Sequence, residues 1–147
     1  MTAPLPFAKR GTAETVETGT DFAPKFDKSG LILAIAVDAT TNEVVMVAYM
    51  NADALAKTIA SGEAWFWSRS RETLWQKGES SGNKLKLVEM RVDCDQDAIL
   101  MKVTIAGDGV ACHVGYRSCF YRTVPLGDEP TGERTLAFDK SMPRIEK

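Results

Sequence analysis

Apolar positions in this chain come in short runs divided by polar turns. Leu31 to Val37 is an apolar run that suits a buried strand. Asp38-Ala-Thr-Thr-Asn42 is a polar turn, and Glu43 to Tyr49 is a second strand-like run, so the pair predicts a hairpin. Asn51 stands where an N-cap side chain accepts from the free N–H groups of a first helical turn. Ala52 to Ser61 is helical in composition, with Leu55 and Ile59 on one face, and Gly62 suits the position just past its end. Further strands are predicted at Ala64 to Ser68, Leu85 to Asp93, Ile99 to Ile105 and Phe120 to Val124. One helix among many strands predicts an α+β domain built on an antiparallel or mixed sheet.

The ends read differently. Residues 1–25 are rich in Thr, Ala, Gly and Pro with little apolar periodicity, which predicts a mobile or loosely packed arm. From residue 126 the chain carries Gly127, Pro130, Gly132 and Pro143 between charges, as in a tail that wraps a surface. Residues 26–125 remain as the working domain, with residues 126–147 as the tail. The 147 residues suffice for one ordinary core without disulfide staples. Eighteen Lys and Arg against 20 Asp and Glu argue against binding of nucleic acid through bulk positive charge. Three cysteines cannot all pair within one chain, and Met1 to Gly11 has no apolar signal region, so reduced thiols in the cytoplasm are expected. No stretch approaches the ~20 apolar residues of a membrane span. The single histidine excludes His-rich metal sites.

Three segments carry chemistry. In Arg91-Val-Asp93-Cys94-Asp95-Gln96-Asp97, a continued strand would point Asp93, Asp95 and Asp97 to one face, where a hard cation such as Mg²⁺ would relieve their repulsion. A solvated acidic loop is the alternative. The second segment, Gly107 to Cys119, holds Cys112, Cys119 and the lone His113. With Cys94 the thiols total three, which suits a catalytic zinc with one position open to water, and His113 is the available base. Small buried thiols and a structural histidine are the plainer reading. The third runs from Trp67-Ser68-Arg69-Ser70-Arg71 through Trp75 and Lys77 to Ser80-Ser81-Gly-Asn83. Guanidinium groups and exposed N–H groups suit phosphate, and indoles suit stacking on a base. A strand with buried indoles and solvated arginines fits equally.

These segments, in their order and spacing, closely resemble the phosphoribosyl-AMP cyclohydrolase family. The matching stretches are Trp67-Ser-Arg-Ser-Arg71, Trp75-x-Lys-Gly-Glu-x-Ser-Gly-Asn83, Arg91-Val-Asp-Cys-Asp-x-Asp97 and Cys112-His-x-Gly-x-x-Ser-Cys-Phe-Tyr121, within about residues 26–124. Tyr49-Met50-Asn51 also fits. The resemblance implies hydrolytic opening of the adenine ring between N1 and C6 by zinc-activated water, in histidine biosynthesis. It implies Zn²⁺ on Cys94, Cys112 and Cys119, Mg²⁺ on Asp93, Asp95 and Asp97, and His113 as catalytic acid or base. Trp67, Ser68, Arg69, Ser70, Arg71, Trp75, Lys77, Ser80, Ser81 and Asn83 would meet the nucleotide. It further implies a folded mixed β-sheet of pseudobarrel type, and a homodimer with each zinc site shared between subunits. Val114 and Phe66 depart from the common pattern, where Thr and Tyr are frequent. The chain lacks room for a fused pyrophosphohydrolase domain, so a monofunctional enzyme is expected.

Two other classes would use the same residues. A non-catalytic zinc-thiolate module could bind nucleotides or single-stranded nucleic acid through the tryptophans and arginines, although the acidic balance and the aspartates count against it. A thiol-exchange redox protein would want a Cys-x-x-Cys pair, which is absent.

Overall fold

The computed structural model describes residues 5–127 and 132–145. A short helix α1 (Ala13–Thr18) precedes strands β1 (Ile32–Asp38) and β2 (Val44–Met50), helix α2 (Ala52–Ser61), and strands β3 (Trp65–Ser68), β4 (Thr73–Gln76), β5 (Leu85–Val92), β6 (Ala98–Ile105), β7 (Arg122–Thr123) and β8 (Ala137–Phe138). Four strands form a mixed sheet in the order β2-β1-β6-β5, with β1 parallel to β6 and the other two pairings antiparallel. The pairs β3–β4 and β7–β8 form separate two-stranded ribbons. The expected mixed sheet with few helices is therefore present among the described residues.

The apolar period explains which sheet face is core. Ile32, Ala34 and Ala36 on β1 alternate with half-buried neighbours, and Ile99, Met101 and Val103 do the same on β6. These side chains pack with Val45, Met50, Leu55, Phe66 and Leu85. Phe66 is fully buried, so a hydroxylated ring at that position would have to find a partner inside the core. The opposite face of β1 and β2 keeps Leu33, Val47 and Tyr49, with Leu33 paired to Tyr49 on one side and to Ala98 on the other.

Local chemistry sets the element ends. The Asp38 carboxylate accepts from the N–H groups of Thr40 and Thr41 and tightens the β1–β2 turn. Asn51 caps α2 by accepting from Ala54 N at 2.8 Å, an interaction worth about 1 kcal/mol. Gly62 ends the helix at φ 72, and the buried Thr58 hydroxyl ties the helix to β3 through Trp65 N at 2.9 Å. Leu55 is buried as expected. Ile59 is not: it is 42% exposed, because the turn that carries it faces the outer side of β5 near Val88 rather than the core.

The arm is the larger departure. Residues 1–4 lie outside the described residues, as do 128–131 and 146–147 of the tail. The rest of the arm is packed rather than loose. Val16, Ala23 and Pro24 are buried, Phe7 meets Phe22 and Phe26 at 5.5 and 5.9 Å, and Arg10 donates to Ala23 O. The short helix α1 escapes prediction because it has a single buried side chain, Val16. The tail also packs: Arg144 donates to Val114 O, Ile145 N to Gly115 O, and Met142 is buried.

Candidate functional site

The β3–β4 ribbon lies over the outer face of β1 and β2 and leaves a cleft of about 830 Å³. Its walls are Leu33, Val47, Ala48 and Tyr49 from the sheet and Trp67, Ser68, Arg69, Ser70 and Trp75 from the ribbon. The volume is within the usual range for a small-molecule site. Register places both indoles. Trp75 pairs with Phe66 across the ribbon, and their rings lie 5.0 Å apart, so Trp75 is anchored on the core while one side stays open. The Ser68 hydroxyl accepts from both the backbone N and Nε of Arg71 at 3.3 Å, which holds the tip of the ribbon. Arg69 sits 4.5 Å above the Tyr49 ring. Five of the ten nucleotide-facing candidates thus line one cleft.

The others sit beyond it. Lys77, Ser80, Ser81 and Asn83 belong to the loop after β4, which turns at Gly78 (φ 84), where a Cβ would come within 2.3 Å of the Asn83 carbonyl carbon. Asn83 is buried, and its side-chain oxygen accepts from Asp108 N at 2.8 Å. It braces the loop that leads to Cys112.

The acidic segment forms in a different way from strand alternation. β5 stops at Val92 and β6 starts at Ala98, and residues 93–97 make a turn in which Gln96 takes φ 57. Asp93 accepts from the N–H groups of Asp97 and Ala98 at 2.9 and 3.1 Å. The ligand oxygens of Asp93, Asp95 and Asp97 come within 4.8 Å of one another, the one such cluster of three or more potential ligands among the described residues. Hydrogen bonding to Asp93 and then Asp95, with their negative charge, pushes the Asp97 carboxyl up to about 6. For Asp93 the slight burial works upward, but hydrogen bonds from the Asp97 carboxyl and the Ala98 and Asp97 N–H groups outweigh it and hold it below the usual range. The raised Asp97 carboxyl reflects a repulsion that a divalent cation would relieve, and three hard oxygen donors fit Mg²⁺. The cluster borders the cleft: a pocket of about 210 Å³ next to it is lined by Asp97 and shares Leu33 and Tyr49.

The thiol loop is pinned to the far end of β2. Cys119 N donates to Val45 O, Ser118 Oγ to Val44 O, and Arg117 grips both Glu43 carboxylate oxygens at 2.7 and 3.0 Å. Gly115, at φ 111, lies so close to Ile145 O that a Cβ would reach 2.5 Å. Cys112 is buried and Cys119 exposed as residues, yet desolvation of its sulfur pushes the Cys119 thiol up to about 11, with Cys112 adding and Lys77 opposing. Cys112 and Lys77 are thus close enough to Cys119 to act on its thiol. Two soft donors on one loop fit part of a zinc site. His113 is exposed on the same loop. Cys94 does not join them: all three cysteines are free, and no cluster contains the three sulfurs. The distance from Val45 to Tyr49, roughly 13 Å of strand, separates the thiol pair from the end of the sheet that carries Cys94.

Tyr49 belongs to this site as well, although no site role is expected for it from the sequence. It faces the cleft and two adjoining pockets, and its signal was an aromatic ring in an otherwise aliphatic strand just before the N-cap.

A sequence model of the phosphoribosyl-AMP cyclohydrolase family matches residues 46–121. The chain is 56% identical over 124 residues to the phosphoribosyl-AMP cyclohydrolase of Sinorhizobium fredii, covering 84% of this chain and 81% of that protein. Its identity to the Brucella canis enzyme of the same name is 56% over 117 residues, covering 80% and 84%. For the Nitrobacter hamburgensis enzyme it is 54% over 123 residues, covering 84% and 81%.

Proposed function

The chain belongs to the phosphoribosyl-AMP cyclohydrolase family, hydrolases of histidine biosynthesis, and from that premise we propose that it opens the adenine ring of 1-(5-phosphoribosyl)-AMP at a zinc site shared between two subunits. The observation that carries this reading is the placement of the thiols. Cys112 lies close enough to Cys119 to act on its thiol, on a loop tied to Val45, while Cys94 follows β5 at the other end of the sheet. A third ligand then comes from the partner subunit's Cys94, and each homodimer holds two such sites.

The cleft receives the nucleotide. Trp67 and Trp75 flank the base, and Ser68, Arg69, Ser70 and Arg71 meet one phosphate at the ribbon tip. Lys77, Ser80 and Ser81 extend the polar wall toward the thiol loop, with Asn83 bracing that wall from inside. Asp93, Asp95 and Asp97 would hold Mg²⁺ at the other end, and bound there it would offset phosphate charge. The three thiolates would hold zinc, which when bound would supply Lewis acidity toward water. His113 takes the proton from the attacking water as oxygen bonds to C6. It returns a proton to N1 as the C6–N1 bond breaks. C6 ends as the carboxamide carbon, and N1 keeps its phosphoribosyl group in the formimino arm. The unit doing this spans residues 26–125, with residues 1–25 and 126–147 as arm and tail, in a cytoplasmic homodimer.

The test is a ring-opening assay on wild-type protein and Cys112→Ser, with zinc content measured in parallel. Loss of zinc together with turnover is expected. Full activity in zinc-free Cys112→Ser would sink the mechanism.

A further inference from the structure

Gln96 occupies a left-handed backbone conformation, at φ 57, that is unfavourable for a side-chain-bearing residue and that glycine adopts freely. What it gains is visible in its contacts. The side chain is 4% exposed. Its Oε1 accepts from Ala23 N at 2.8 Å, and its Nε2 donates to Val16 O at 3.1 Å and Asp21 O at 3.2 Å. Its backbone O accepts from Lys25 N at 2.7 Å, and its backbone N donates to Asp93 O at 3.0 Å. Every hydrogen-bonding group of the residue is used. Four of these five bonds run to residues 16–25 of the arm, and the fifth closes the acidic turn. Among the described residues, no other residue of the turn hydrogen-bonds to the arm.

The two ends of this contact are therefore linked. If the arm leaves, the Gln96 amide exchanges its fixed protein partners for water, and nothing outside the turn then holds its backbone conformation. The strained turn would then relax, and with it the spacing of the three carboxylates. If the turn is held, the arm is held. The carboxylates repel one another, so something must fix them within 4.8 Å when no cation is bound. Asp93 supplies part of that through its bonds from the Asp97 and Ala98 N–H groups, and Gln96 ties the turn that carries them to the arm.

We propose that Gln96 is a positioning residue that couples docking of the N-terminal arm to divalent-cation affinity at Asp93, Asp95 and Asp97. This rests on the reading of those aspartates as the Mg²⁺ site. It makes the arm part of the working enzyme rather than an appendage. It also reaches Cys94, because the arm and the turn together wall a pocket of about 340 Å³ lined by Val16, Asp21, Phe22, Asp93, Cys94 and Gln96.

The experiment uses the full chain and Mn²⁺ as the probe, with binding read by electron paramagnetic resonance. Arm release is read by trypsin cleavage at Lys9, Arg10 and Lys25. Gln96→Gly removes the clamp but accepts the backbone conformation, so the fold is retained. Val16→Asp breaks the same link from the arm side. Each variant is expected to expose the arm and weaken Mn²⁺ binding by about 5- to 150-fold, the usual span of a coupling between sites. The double variant should be no weaker than the weaker single one, since both cut one link. An unchanged Mn²⁺ affinity in Gln96→Gly with the arm released would overturn the coupling, and so would an arm that stays protected. Wild-type protein that binds no Mn²⁺, or binds it equally well as Asp95→Asn, would refute the metal reading itself and the coupling with it.

Discussion

The acidic turn at 93–97 and the thiol loop at 106–121 invite comparison because each carries ligands for a proposed metal, and only the first set is gathered within one chain. The aspartates lie within five residues of each other, between two adjacent antiparallel strands, so a single turn gathers them. The thiols are divided between two loops. Cys94 leaves β5 at one end of the sheet, and Cys112 and Cys119 are tied to Val45 and the start of β2 at the other. A short turn makes a site by local geometry. A site divided across a sheet is completed by bending the sheet or by adding a second copy, and a sheet with a packed core face does not bend cheaply.

The largest expected effect tests that division directly. Cys94→Ser and Cys112→Ser homodimers should both lack turnover. Mixed and allowed to exchange subunits, they should recover roughly a quarter of wild-type activity, from one intact site in each heterodimer. A mixture as inactive as its parents, with exchange verified by mass, would place all three thiols in one subunit or remove one of them from the site. Next comes His113→Ala, expected to keep its zinc and lose ~10²–10⁴-fold in turnover. Equal turnover in variant and wild type would strike His113 from the mechanism. A smaller, separable effect is expected in the acidic turn: Asp95→Asn should raise the Mg²⁺ concentration needed for activity while zinc content stays constant. Zinc loss in that variant would show that the two centres are one unit.

The same contrast explains what the chain discloses before it is folded. Helix α2 is legible because its signals are local: Asn51 and Gly62 stand at its two ends and both work as caps. Strand β1 is legible because its apolar run is continuous, and β6 because its apolar run is bounded by polar turns. β4 is not, since Thr73 to Gln76 is four residues long and its decisive feature is the pairing of Trp75 with Phe66. Nor is α1, whose carbonyl at Val16 is held by a glutamine 80 residues later. The aspartate triplet was legible as a cluster, but its shape was not. Alternation along a strand was the expectation, and a left-handed residue at 96 replaced it. Asn83 reads as a polar residue for the substrate, yet its oxygen is committed to Asp108 inside the fold. In each case the missing information is a partner distant in sequence.

The smallest predicted effect asks whether the thiol loop is held independently of the acidic turn. Arg117 grips Glu43 in a two-point contact and donates to Ser141 O, so it joins the loop, the β1–β2 hairpin and the tail. Both side chains are partly exposed, at 41% and 30%, and solvent weakens the pair. Arg117→Gln should therefore cost about 1 kcal/mol or less, a melting shift of roughly 2–4 °C at most. The deficit should shrink in high salt, because the lost attraction is screened. Mn²⁺ affinity at the aspartates should not move, since the Arg117 side chain is bonded to Glu43 and Ser141, away from residues 93–97. An Arg117→Gln protein that melts as wild type at low salt would mean the loop is held by its backbone bonds to Val45 and the buried Ser118 alone. A change in Mn²⁺ affinity would mean that the two ends of the sheet are mechanically joined, and the contrast between a self-sufficient turn and a divided site would fail.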